Sequence, residues 1–79
     1  MGESEGGSDV IKIDLERMKQ AEASKLIETK IWRTREGQRI IITSEGEISF
    51  VLAILAKHGF SYERPREEDG LLTVRAVRK

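Results

Sequence analysis

Apolar and polar residues follow two different periods along the chain, and each change of period marks an element. Residues 10–15 (VIKIDL) alternate, with Ile11, Ile13 and Leu15 on one face and Lys12 and Asp14 on the other, which predicts a half-buried strand. Residues 19–33 switch to helical spacing, where Ala23, Leu26, Ile27 and Ile31 recur at three and four and line one face. Asp14 can also cap an earlier helix start at Leu15. Glu36-Gly37 is expected to end this helix, with the glycine just past the last turn. Residues 38–43 (QRIIIT) are apolar through their centre and predict a buried, central strand. Ser44-Glu45-Gly46-Glu47 fits a capping box, in which Ser44 accepts the backbone N–H of Glu47 and the Glu47 carboxylate accepts that of Ser44. The second helix then spans residues 48–57 and closes at His58-Gly59. An extended segment over 60–64, a charged turn over 65–70 (PREEDG) and an alternating strand over 71–78 (LLTVRAVR) complete the chain.

The order is therefore β-α-β-α-β-β. Two helices with apolar faces to cover, together with four strands, predict a two-layer α/β sandwich: a four-stranded mixed sheet with both helices on one face. The last two strands form an antiparallel hairpin. Residues 1–8 are Met, Gly, Ser and Glu and are expected to be a disordered tail, which leaves residues 9–79 as a single domain. A domain this small buries only about 60% of its unfolded-chain surface, so each core contact counts.

Composition narrows the chemistry. Lys plus Arg and Asp plus Glu are both 14, and a net charge of zero makes no global demand for nucleic acid or a membrane. The absence of cysteine excludes disulfides, thiolate metal sites and thiol chemistry together. No apolar run approaches the roughly 20 residues that span a bilayer, and the acidic start MGESEGGSD lacks the apolar core of a signal peptide, so a cytoplasmic protein is expected. No Asn, one Pro and 35% charged residues lean towards a thermophilic source.

These landmarks resemble the TusA/SirA-like family of small sulfur-carrier and sulfur-relay proteins. Ile13-Asp14 stands where that family has a strand ending in Leu-Asp. Gly37-Gln38-Arg39-Ile40-Ile41-Ile42 stands where it has Gly-Glu and an apolar strand. Glu45-Gly46-Glu47 replaces its Asp-Pro turn, and His58-Gly59-Phe60 leads into the third strand. The likeness runs over residues 10–78 and implies the family's fold. The family's Cys-Pro-x-Pro opens the first helix, and the position of its sulfur-carrying cysteine falls on Gln20, with Ala21 and Ala23 at the two prolines. A glutamine amide forms no persulfide, so the resemblance implies the fold without the sulfur transfer.

The remaining residues offer little for catalysis. His58 is the only histidine, and beside Gly59 at a helix end it is expected to bind the last carbonyls, favoured by the helix dipole. Glu67, Glu68 and Asp69 fall in a solvated turn, and no phosphate loop, dinucleotide motif or catalytic triad set is present. The chain is expected not to be an enzyme and to need no cofactor or metal.

Two surface features point to binding instead. Trp32 lies nearly opposite the Ala23-Ile27-Ile31 face, and Phe50 and Ile54 form a second apolar stripe beside the core stripe Ile48-Val51-Leu52-Leu55. Trp32, Phe50 and Ile54 are thus candidates for contact with another protein or a second copy. The simpler alternative packs Phe50 and Ile54 between the helices. On the sheet, Lys12, Arg39, Thr73 and Arg75 are expected to face away from the helices, while Ile40, Ile42, Leu72, Val74 and Ala76 face them. Lys12, Arg39 and Arg75 are candidates for nucleic-acid phosphates, with Tyr62 as the one aromatic available for stacking. The carboxy-terminal domain of translation initiation factor three, with a similar element order, binds RNA; that likeness is one of fold alone. The expected function is a small non-enzymatic binding or accessory domain. Weak binding of RNA or single strands through the sheet is the alternative.

Overall fold

A computed structural model describes residues 10–79, and the expectation of a disordered tail at residues 1–8 lies outside the described residues. The elements are β1 (Val10–Asp14), α1 (Gln20–Trp32), β2 (Arg39–Ser44), α2 (Ser49–Lys57), β3 (Phe60–Tyr62), β4 (Arg66–Glu68) and β5 (Leu71–Arg78). β1 runs parallel to β2, β2 is antiparallel to β5, and β3 and β4 both pair antiparallel with β5, giving a mixed sheet in the order β1-β2-β5-β3. The helices pack against each other on one face. The two-layer α/β sandwich expected from the pattern is the observed architecture, with a sheet of five strands rather than four.

The extra strand has a simple origin. Tyr62 pairs with Ala76, but Arg66 pairs with Thr73, so three residues on one strand oppose two on the other. That single extra residue is a β-bulge. It falls where Pro65, which has no N–H, interrupts the ladder, as proline does on an edge strand. Residues 60–68 are thus one edge strand broken in two, and the expected charged turn over 65–70 shrinks to Asp69-Gly70. Both residues have positive φ (53° and 80°) between the paired Glu68 and Leu71, which is the signature of a two-residue type I′ hairpin turn.

Alternation along the strands sorts the core. Ile13, Ile40, Ile42, Val74 and Ala76 point to the helices and are buried, and Ala23, Ile27, Ile31, Ile48, Val51, Ile54 and Leu55 meet them from above. Ile54 is 9% exposed, which corrects its place on a surface stripe: with only nine residues in α2, both apolar stripes are needed to fill the layer. Leu52, expected in the core stripe, is half-buried at its margin.

The helix ends also differ from expectation. α1 stops at Trp32, four residues before Glu36, and Gly37 (φ 86°) instead serves a turn closed by the Gln38 N–H donating to the Arg35 carbonyl at 2.9 Å. The end of α1 is also reached from the last strand of the sheet. The Arg78 Nη1 donates to the Thr34 carbonyl (2.8 Å), to Thr34 Oγ1 (2.9 Å) and to the Ile31 carbonyl (3.4 Å). The backbone of Arg78 pairs with the same loop, donating to Gln38 and accepting from Gly37. The capping box at Ser44 is absent: Ser44 remains in β2, its Oγ accepts the Gly46 N–H at 3.3 Å, and α2 starts after Ile48 with no side-chain cap. Among the described residues no helix is long and apolar enough to cross a membrane.

The register makes two adjacent isoleucines unequal. Ile42 is fully buried against the helices, whereas Ile41 is half-buried on the opposite face. Ile42→Ala is expected to cost about 2–5 kcal/mol in urea unfolding, and Ile41→Ala less than half as much; equal costs would mean that both faces are covered.

Candidate functional site

The face of the sheet away from the helices carries its side chains in rows set by the strand register. One row reads Val10, Arg39, Val77, Ser61 across β1, β2, β5 and β3. The next reads Lys12, Ile41, Arg75, and the third reads Asp14, Thr43, Thr73, Arg66. Lys12, Arg39 and Arg75 are all exposed, as expected. Thr73 faces the same way but is 8% exposed, lying in a small cleft with Glu63, Arg66 and Arg75.

Together these rows place three cations around one aliphatic centre. Ile41 has Lys12 directly on one side and Arg75 directly on the other. Arg39 precedes Ile41 by two on the same strand and lies diagonal to Arg75, about 7–8 Å away between Cα atoms. Val10, Ile41 and Val77 are half-buried between them, and Arg39, Arg75, Ile41 and Val77, with Tyr62 and Glu63 at the β3 side, line a shallow concavity of about 550 Å³. Among the described residues none of the three cations is held in an ion pair. Among the described residues an anionic surface meeting them therefore has no internal salt bridge to break. Long Arg and Lys stems beside aliphatic side chains also suit a partner that is partly apolar.

Tyr62 stands at the rim of this face. Its partner Ala76 points into the core, so Tyr62 leaves the edge strand on the helix side, yet it still lines the concavity beside Ser61 and Glu63. Among the described residues it is the one aromatic lining this concavity. Sequence reasoning missed Ile41, Val10 and Val77 as members of the site. The signal was the run of three isoleucines in a strand that has only one face covered.

The helix-side candidates are not brought together. Trp32 is 79% exposed at the last turn of α1, where it lines a groove with Lys25, Glu28, Thr29, Arg33 and His58. Phe50 is half-buried at the start of α2, beside Gln20 at the start of α1. Twelve residues of helix separate Gln20 from Trp32, about 18 Å at 1.5 Å per residue. Ile54 is in the core. These residues form no single patch. His58 Nε2 is buried without a hydrogen-bond partner among the described residues, so that nitrogen does not serve the last carbonyls of α2 as expected.

The junction at Gln20 is a groove of about 360 Å³ between the β1–α1 and β2–α2 loops, lined by Leu15, Met18, Gln20, Glu45 and Phe50 among others. The Glu45 carboxylate ties the two loops by accepting the Arg17 N–H at 2.9 Å, and Arg17 takes a positive φ of 61° to present it. Glu22 accepts the Lys19 N–H at 3.4 Å, one half of a capping box; an ammonium accepts no hydrogen bond, so the reciprocal half is missing. Gln20 itself is exposed and offers an amide only.

No family model, curated protein or solved structure matches the chain.

Trp32 is the single tryptophan and reports its own surroundings. Its fluorescence in the native state is expected to be red-shifted and fully open to acrylamide, changing little on unfolding in urea. A blue-shifted, protected indole would mean that Trp32 is covered in solution.

Proposed function

We propose that the chain is a small binding domain without catalysis of its own, and that it docks an acidic, partly apolar surface of another protein on the open face of its sheet. The observation that carries this reading is the Lys12–Ile41–Arg75 row with Arg39 diagonal to it: cations with no ion-pair partner among the described residues, set around an aliphatic centre. A TusA/SirA-like kinship fits the element order. In that reading Gln20 replaces the sulfur-carrying cysteine, so this chain keeps the scaffold and serves as an accessory partner.

Nucleic acid is the competing occupant, through the phosphates. The mixed floor of Val10, Ile41 and Val77 favours protein, because single-strand binding draws much of its affinity from successive bases stacked on aromatics, and Tyr62 at the rim is the one aromatic lining this concavity among the described residues.

Backbone-amide NMR titrations with a short peptide alternating Leu and Glu, and with oligouridine, separate the two at about 50 and 200 mM salt. The peptide is expected to shift Arg39, Ile41, Arg75 and Val77 at both salt concentrations. Saturable shifts with oligouridine and none with the peptide would put nucleic acid in its place. Silence from both removes the open face as a binding surface.

A further inference from the structure

The two edges of the sheet are not alike. The β3–β4 edge is broken by the bulge at Pro65 and cannot accept a regular strand along its length. Among the described residues β1 pairs with β2 on one side only, and its other side is an uninterrupted run of five residues. The direction of its backbone groups follows from one hydrogen bond. The Leu15 N–H donates to the Thr43 carbonyl at 2.8 Å, and in a parallel ladder alternate residues turn both polar groups to the same side. Ile11, Ile13 and Leu15 therefore address β2, while Val10, Lys12 and Asp14 present N–H and C=O outwards.

We infer that this edge pairs with the same edge of a second copy, antiparallel about a two-fold axis through Ile13. Outward-facing residues must oppose outward-facing residues, so only registers that set even positions against even positions are open. Three such registers engage at least two outward residues of each strand. Setting Lys12 against Lys12 places two like charges on the axis, which is destabilising. Setting Val10 against Lys12 leaves the charges unmatched. Setting Lys12 against Asp14 of the second copy, and Asp14 against its Lys12, makes two cross-strand charge pairs with Cβ atoms about 4.5–5.5 Å apart. Both residues of each pair stand on the open face, and both are exposed in the single chain. The same register sets Ile13 against Ile13 and Ile11, which is half-buried, against Leu15 on the helix side. Charge complementarity and backbone direction thus select one register.

The pairing joins two sheets into one and sets two open faces side by side, leaving Arg39 and Arg75 of each free. It does not depend on what those faces bind. A contact of one strand edge belongs with the small, reversible interfaces, so association is to be sought at about 1 mM protein rather than at trace concentration.

Charge reversal tests both the surface and the register. Lys12→Glu leaves two carboxylates opposed in each cross-strand pair, and Asp14→Lys leaves two ammonium groups opposed. Each variant alone is therefore expected to sediment as a 9.0 kDa monomer where the wild type associates. Mixed in equal amounts, the two variants restore opposite charges across the contact and are expected to associate again as a heterodimer. Asp14 Oδ1 also accepts the Glu16 N–H at 2.9 Å, so Asp14→Lys can disturb the fold locally. Lys12→Pro avoids that difficulty. It removes an outward N–H that serves no ladder bond, and is expected to keep the native circular dichroism while abolishing association. A wild type that stays monomeric at about 1 mM, a folded Lys12→Pro variant that associates as the wild type does, or a mixture of folded reversal variants that stays monomeric overturns the inference.

Discussion

The antiparallel ladder between β2 and β5 is the interaction on which the rest of the structure depends. It sets Ile40 against Ala76 and Ile42 against Val74, and these pairs form the floor on which both helices rest. β5 also carries β3 and β4 on its other side, so the last strand of the chain is the hub of the sheet. Its final strand residue closes the structure twice, by backbone bonds to the loop before β2 and by the guanidinium on the end of α1. A chain of 79 residues has little core to spare. Here the last strand supplies both the sheet centre and, through Arg78, a tie to the loop that follows α1.

Most of the fold was legible because its periods are clear. VIKIDL and LLTVRAVR alternate cleanly, and Ala23, Ile27 and Ile31 repeat at helical spacing, so the face of each was readable. The misses have physical reasons. Arg66–Glu68 is a strand without strand propensity, held by the length of β5 and by the Asp-Gly turn, so tertiary pairing overrides local preference. The Asp-Gly pair was the available signal, since it is a strong mark of a two-residue hairpin. Ser44 to Glu47 matches a capping box by spacing, yet β2 extends through Ser44 because Leu72 lies opposite it. A helical wheel sets Ile54 on the surface because it takes no account of how few residues α2 has to fill its layer.

The candidate surface was half legible. Alternation placed Lys12, Arg39 and Arg75 on the open face, and the structure puts them there. What alternation could not supply was the neighbour relation across strands. Only the register shows that Ile41 sits between Lys12 and Arg75, and that Tyr62 is set opposite the core-facing Ala76 at the rim. The same register makes the two sides of the sheet divide the labour. One side holds the fold together, and the other presents aliphatic side chains and cations that the core does not need.

That division is open to one direct measurement, made on a chain in which Arg39 and Arg75 are both replaced by Thr. Thermal unfolding and affinity for the alternating Leu-Glu peptide are read on the same sample. The account predicts a melting temperature equal to the wild type or higher, since two neighbouring like charges are removed, together with loss of peptide binding. A variant that loses stability while still binding the peptide would show that these cations serve the fold, and would contradict the account.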